Sequence, residues 1–168
     1  MKITTEESTN TEELRKKIAE STSHHISKIE EEDLLILKGH LLVESALRDY
    51  CKSKTVNHSA FDKAKLSFTQ LLHLTQALNG ELDKEKWALL KNLNTLRNQI
   101  AHQLDSQNSL EENKLKLLNS FDPDEFIEFE LHASSDLHKL KHIVVNIYAY
   151  LVTQLHITKI ITINIDTD

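Results

Sequence analysis

The chain has 168 residues, of which 39% are apolar and 27% charged, with two glycines, one proline and one cysteine. This composition argues against fibrous, membrane-spanning and disulfide-stapled proteins, and so few turn-forming residues disfavour a small β-rich fold. At this length a core can form without a structural metal, so we expect an all-α fold.

The charge of the chain is unevenly distributed. The formal net charge of −6 argues against a protein held to DNA by bulk electrostatics. Residues 36–100 nevertheless carry ten basic and six acidic side chains, a net +4, so the flanks carry −10. A locally basic middle suits a short anionic ligand, and a solvated helix face of mixed charge is the open alternative.

The sequence favours a cytoplasmic protein. Its one cysteine, Cys51, fits a reducing compartment, and the amino end has no apolar stretch typical of a signal peptide. The apolar-rich window at residues 143–152 is about half as long as a membrane-spanning helix, so no membrane association is expected.

No repeat, low-complexity block or Gly/Ser linker divides the chain, so a single helical domain is expected over residues 11–157. Residues 1–10 are polar and are predicted to be a disordered tail. Residues 158–168 are predicted to be an extension. The expected architecture is an antiparallel helical bundle.

Three helices are predicted in the first half of the chain. The first starts at an Asn10 cap with Glu13 as its reciprocal partner. The third starts at a Ser59 cap and ends near residues 79–80. The second covers about residues 31–52, and the helical period predicts these buried positions: Leu34, Leu37, Leu41, Leu47 and Cys51.

The fourth helix is predicted over residues 84–103, after an Asp83 cap. Its apolar positions keep helical spacing throughout: Trp87, Leu90, Leu93, Leu96, Ile100 and Leu104. A capping box at Ser109 and Glu112 then predicts a short helix, and Pro123 ends it.

A last helix is predicted over residues 135–156. Two segments near it read as short β candidates. Apolar and acidic residues nearly alternate over 125–131, and residues 159–166 alternate isoleucine with polar types. These two segments could pair with each other, or the second could pair with a partner chain, so a short β segment near the carboxyl end stays open.

The fourth helix carries the string LNTLRNQIAH, which contains Arg97, Asn98 and His102. An Arg followed by a His five residues later arises easily by chance in a chain with ten histidines. Asn directly after the Arg, Ala directly before the His and apolar residues at helical spacing make the string more specific. As a whole it resembles the catalytic helix of the HEPN superfamily of ribonucleases and nucleotide-binding domains.

The segment GHLLVESAL at residues 39–47 is similar to an early HEPN helix, in which a polar residue faces the motif helix. The resemblance covers roughly residues 30–155. It implies a HEPN-like helical bundle and a metal-independent endoribonuclease of the toxin or defence type, without a cofactor and with an antitoxin as a candidate partner. The best-known toxin subgroup has a modified Tyr two residues after the His, where this chain has Leu104.

In HEPN ribonucleases the ribose 2′-hydroxyl attacks the adjacent phosphate, which requires a base, an acid and positive charge. Histidine suits the proton transfers, since its ordinary pKa of about 6.5 populates both forms near neutrality. Arginine suits the phosphate because its planar fork stays charged. The resemblance thus assigns catalysis to Arg97 and His102 and orientation to Asn98. Glu44 and Lys91 are predicted to bind the substrate.

Helix geometry adds a constraint on this site. Asn98 and His102 are four residues apart and share one face, whereas Arg97 and His102 lie about 140° apart around the helix, so Arg97 must reach round. A single His cannot easily serve as both acid and base in one turnover. A two-fold dimer supplies two copies of each group, as in HEPN families, so we expect a homodimer with a composite site.

Two other interpretations stay open. A non-catalytic HEPN-like module, an antitoxin or a regulator, would bind a protein partner or a nucleotide. In a purely structural helix, Arg97 would pair with a carboxylate, and His102 would interact with the negative end of the helix dipole.

Metal binding is not predicted. His40 and Glu44 are four residues apart, as are His138 and His142, and such pairs share a helix face. Zinc would need further ligands, and the chain has no pair of cysteines to supply them.

Overall fold

The computed structural model of the chain describes residues 5–79, 84–102, 107–120 and 135–165. Within these ranges the regular structure is seven helices and no strand, which confirms the all-α prediction. In chain order the helices are α1 (Thr5–Ile26), α2 (Glu32–Ser53), α3 (His58–Lys63), α4 (Phe68–Asn79), α5 (Lys84–His102), α6 (Gln107–Leu118) and α7 (Asp136–Ile165).

The core is built around α7, in which every residue from 140 to 147 is buried. α1 runs antiparallel to it. The Lys141 ammonium donates a hydrogen bond to the Ser27 carbonyl at 2.8 Å, and three turns away the Arg15 guanidinium lies 6.0 Å from the centre of the Tyr150 ring. α2 packs against α7 as well, and α4 and α5 pack against α2. Helix α2 therefore links the centre of the bundle to α5.

The second predicted helix is confirmed as α2, but its predicted buried face is partly wrong. Leu47 and Cys51 are buried, whereas Leu34 is 38% exposed and Leu41 is 61% exposed. Leu41 instead borders a groove of about 420 Å³ formed by α1, α2 and the turn between them. Because α2 packs against several helices, its buried stripe is wide: Leu35, Ile36, Gly39, His40, Val43, Leu47, Tyr50 and Cys51.

The outer ends of the bundle differ from prediction. α1 begins at Thr5, so the Asn10 cap is wrong, and residues 5–10 of the predicted tail are helical. α7 continues to Ile165, so the β candidate at 159–166 is helical where it is described. Once a helix is nucleated, each further residue adds a hydrogen bond, which outweighs the weak β preference of isoleucine and threonine. The other β candidate, residues 125–131, lies outside the described residues.

The third predicted helix is split into α3 and α4. Asn57, not Ser59, caps α3, and its Oδ1 accepts a backbone N–H at 2.9 Å. Lys65, between the two helices, has φ of 47°, a left-handed conformation that ends a helix. Ser67 and Gln70 then form a reciprocal cap for α4, in which the Ser67 N–H donates to Gln70 Oε1 at 2.9 Å.

The fourth predicted helix is confirmed as α5, and α4 ends at Asn79 as expected. α6 begins at Gln107, so the predicted capping box at Ser109 lies inside the helix and is wrong. The proposed cap at Asp83 and the helix stop at Pro123 lie outside the described residues.

Candidate functional site

Helix α5 has a buried face and an exposed polar face. Its predicted core residues Trp87, Leu90, Leu93 and Leu96 are each at most 5% exposed. Residues spaced by three, four and seven positions line the opposite face, because a turn contains about 3.6 residues. The exposed residues of that face are Ala88, Lys91, Thr95, Asn98, Ala101 and His102. Three predicted site residues, Lys91, Asn98 and His102, therefore share one exposed stripe.

Arg97 lies at the edge of this stripe and reaches toward it. Its side chain is half-buried, and Nη1 donates a hydrogen bond to Asn98 Oδ1 at 2.9 Å. No carboxylate of the described residues forms an ion pair with this guanidinium. The pairing that a purely structural role predicts for Arg97 is thus not seen in that part of the chain. The remaining N–H groups of Arg97 can donate to a ligand.

Glu44 lies on α2 and is held by its own helix. Its Oε1 accepts a hydrogen bond from Arg48 Nη2 at 2.9 Å, and its Oε2 lies 3.8 Å from His40 Nδ1. The same Arg48 nitrogen donates to the Leu66 carbonyl at 3.0 Å, in the connection between α3 and α4. Among the described residues, neither a hydrogen bond nor an ion pair joins Glu44 to Lys91, so this predicted substrate-binding pair is not brought together directly.

A side-chain hydrogen bond between His40 Nε2 and Asn94 Oδ1, at 3.0 Å, joins α2 to the motif helix. His40 is 2% exposed, and its ring stacks on Phe68 with the centroids 4.4 Å apart. Sequence reasoning did not select Asn94 as a site residue. Its spacing could have indicated a role, because Asn94 precedes Arg97 by three residues and Asn98 by four and so lies one turn before them on the same helix.

The pKa of His40 is affected by a residue of the motif. Burial lowers the pKa of His40 below its ordinary value of 6.5, and the nearby positive charge of Arg97 lowers it further. The hydrogen bond with Asn94 and the negative charge of Glu44 act in the opposite direction without cancelling this effect. The imidazole is therefore neutral at pH 7.

A second polar cluster fixes α5 against α6. Gln99 is 9% exposed, and its Nε2 donates to Ser109 Oγ at 2.7 Å while its Oε1 accepts from Asn113 Nδ2 at 3.2 Å. Asn92 Nδ2 donates to the Asn113 carbonyl at 3.0 Å. Sequence reasoning missed Gln99, which is a polar residue on the buried side of the motif. These bonds hold the turn of α5 next to Arg97 and Asn98 in place.

The described residues contain no group of three or more His, Cys, Asp or Glu side chains that could hold a metal ion. His138 and Ser135 are hydrogen-bonded to each other at the start of α7, Nδ1 to Oγ at 2.7 Å. This pairing places His138 in the first turn of α7.

The side chains that could act on a ligand lie on or beside the exposed stripe of α5. Lys91 and Arg97 offer positive charge, and the Arg97 guanidinium offers a planar pair of donors for a phosphate. His102 offers an exposed imidazole at the end of the stripe. Charged groups on an exposed helix face are accessible to an extended polyanion.

Comparisons with protein-family models, curated proteins and solved structures gave no match. The HEPN resemblance therefore rests on the motif string, the early helix segment and the helical fold. In the ranges that the structure describes, no helix combines the length and the apolar character that a bilayer crossing requires.

Proposed function

We propose that this chain is a metal-independent endoribonuclease of the HEPN type, acting in the cytoplasm as a toxin or defence component. The observation that carries the proposal is the exposed stripe of α5, where Arg97 is hydrogen-bonded to Asn98 at 2.9 Å beside the exposed Lys91 and His102. These residue types match the positive charge and proton transfer that RNA cleavage requires.

In the proposed reaction, a neutral His102 imidazole takes the proton of the ribose 2′-hydroxyl as its oxygen attacks the adjacent phosphorus. A protonated His102 from a second copy gives its proton to the leaving 5′-oxygen as the P–O bond breaks. The products are a 2′,3′-cyclic phosphate and a 5′-hydroxyl. Arg97 stabilises the charge of the pentacoordinate phosphate, and Asn98 orients the guanidinium.

A homodimer supplies the second imidazole. Among the described residues, His102 is the one histidine on the exposed stripe of α5, so one chain offers one group for proton transfer. Two stripes facing each other across a two-fold axis would place two Arg97 and two His102 side chains on opposite sides of one RNA backbone. Ala88, Thr95 and Ala101 are small, which leaves room for that approach.

The test is cleavage of single-stranded RNA in EDTA by wild type, Arg97→Ala and His102→Ala. We expect each substitution to lower the cleavage rate by about a hundredfold or more. His73→Ala, at an exposed position on α4, is the matched control and should cleave as wild type does. Equal cleavage by all four proteins would reject the assignment, and a monomer at working concentration would reject the composite site.

The single exposed imidazole on the stripe also favours a second candidate, a non-catalytic module that binds a nucleotide or a protein partner. Lys91, Arg97 and Asn98 would then bind a phosphate or a carboxylate without cleaving anything. This candidate predicts no growth defect when the protein is expressed, whereas a ribonuclease toxin should arrest growth in the absence of its antitoxin. In the EDTA assay it predicts bound but intact RNA.

A further inference from the structure

A ladder of polar side chains runs along α2 from the core to the surface. His40, Glu44 and Arg48 follow each other at intervals of four residues and so share one helix face. Their exposed side-chain fractions rise from 2% to 27% and 33%. The ladder connects the motif helix at one end, through Asn94, to the connection between α3 and α4 at the other, through the Leu66 carbonyl.

The inner end of the ladder is unusual for a buried group. Asn94 Oδ1 only accepts hydrogen bonds, so the contact at 3.0 Å requires the proton of His40 to be on Nε2. Nδ1 is then a bare acceptor, and this buried atom has no hydrogen-bond partner. The nearest charged oxygen, Glu44 Oε2 at 3.8 Å, is also an acceptor. Two acceptors facing each other leave a place where one proton would create an ion pair.

The charged groups around the ring act in opposite directions. Glu44, on the same helix, favours a positive imidazole, and Arg97, on α5, disfavours it. α4 contributes the uncharged ring of Phe68, and α7 packs Val144 against the neighbouring Gly39. Of the predicted catalytic residues, Arg97 is therefore the one whose charge interacts with the His40 imidazole.

We propose that His40 is a positioning residue for Arg97. Its neutral imidazole holds Asn94 and therefore the turn of α5 that carries the Arg97–Asn98 pair. A proton on Nδ1 draws Glu44 toward the imidazole and away from Arg48, and it places a second positive charge beside Arg97. The position of the guanidinium is thereby coupled to the protonation of a residue on another helix. Its effect on catalysis rests on the proposed function.

The coupling can be measured without RNA, by NMR of the ¹⁵N-labelled chain between pH 5 and 8. The protein carries His102→Ala, which removes the other imidazole of the proposed site. We expect the signals of Asn94, Arg97 and Asn98 to shift together with a midpoint below pH 6.5. His40→Gln, which keeps a donor for Asn94 but does not titrate, should abolish the shift, and the exposed control His73→Gln should keep it. An unchanged titration in His40→Gln, or none in the parent, overturns the proposal.

Glu44→Gln tests the same coupling where His40→Gln does not fold. It removes the charge that favours the imidazolium, so the midpoint should move to lower pH. An unchanged midpoint would contradict the proposed interaction between the Glu44 carboxylate and the His40 imidazole.

The catalytic consequence is tested by cleavage at pH 7.5 with His102 intact. His40→Ala should lower kcat by about tenfold or more, because misplacing a group by even 1 Å is costly, and His40→Gln should recover most of that loss. Equal losses in the two variants would reject a positioning role. If the wild type does not cleave RNA at all, the proposed function fails, while the NMR result still decides the coupling.

Discussion

Gly39 and Val144 lie so close together that a Cβ atom on residue 39 would come within 2.7 Å of Val144 Cγ1. The glycine therefore lets α2 approach α7 more closely than any other residue would. Because His40 follows directly, this approach also sets the depth at which the imidazole is buried. Packing in the core thus determines where the polar ladder begins.

Gly39→Ala should destabilise the fold by about 1–2 kcal/mol, measured by urea unfolding. The overpacking penalty exceeds the gain in helix propensity, since the buried, β-branched Val144 on α7 cannot rotate freely out of the way. In a Val144→Ala background the clash is gone, so Gly39→Ala should be neutral or stabilising there. The same destabilisation in both backgrounds would contradict the packing explanation.

Leu41 and Leu47 provide a matched pair on α2. Leu47 is fully buried and Leu41 is 61% exposed. Leu47→Ala should lower the free energy of unfolding by about 2–4 kcal/mol, because it leaves a cavity, whereas Leu41→Ala should change it by less than about 0.5 kcal/mol. Similar losses for both would mean that the buried face of α2 is the one first predicted from the leucine spacing.

Stability should fall as the medium becomes acidic, through His40. Its pKa in the folded protein lies below 6.5, so between that folded value and 6.5 the unfolded chain binds more protons. The free energy of unfolding should therefore decrease as the pH falls through 6.5 and level off below the folded pKa. The difference between wild type and His40→Gln, followed by urea unfolding at several pH values, isolates this contribution. The prediction is contradicted if the stability of wild type relative to His40→Gln does not change with pH, or if it rises as the pH falls.

RNA binding should depend on Lys91 through charge. In the proposed function Lys91 contacts one phosphate, so Lys91→Ala should weaken binding to single-stranded RNA and reduce the slope of log K against log salt by about 0.7. Lys63→Ala, at an exposed position on α3, should leave the slope unchanged. The slope can be measured without cleavage by using 2′-O-methylated RNA. Equal slopes for the two variants would show that Lys91 does not contact the RNA backbone.

Helix α5 was predictable from sequence because its leucines keep helical spacing, and its exposed polar residues lie on the opposite side, with Gln99 as a buried exception. α2 was harder to predict because leucine spacing alone ignores Gly39 and His40, two core residues that are not typical of a buried helix face. The break between α3 and α4 has a local signal that was missed, since Ser67 and Gln70 have the spacing of a capping box, and it also has a non-local contact from Arg48 to the Leu66 carbonyl.

The candidate site follows the same division. Arg97, Asn98 and His102 were selected from a string, and the helical period explains why Asn98 and His102 share a face. Asn94 and Gln99 were missed, because an asparagine or glutamine within a helix reveals its role only when its partner on another helix is known. Those partners are His40, 54 residues from Asn94 in the chain, and Ser109, ten residues from Gln99.

The central helix of the bundle, α7, is the last of the seven helices in the described part of the chain. During synthesis α1, α2 and α6, which pack against α7, emerge before it, and the faces that they turn toward α7 stay uncovered until it arrives. Assembly should therefore be late and cooperative rather than sequential. A polypeptide interrupted before residue 140 would remain a loose, protease-sensitive collection of helices, so translation itself would delay the appearance of any activity that depends on α5.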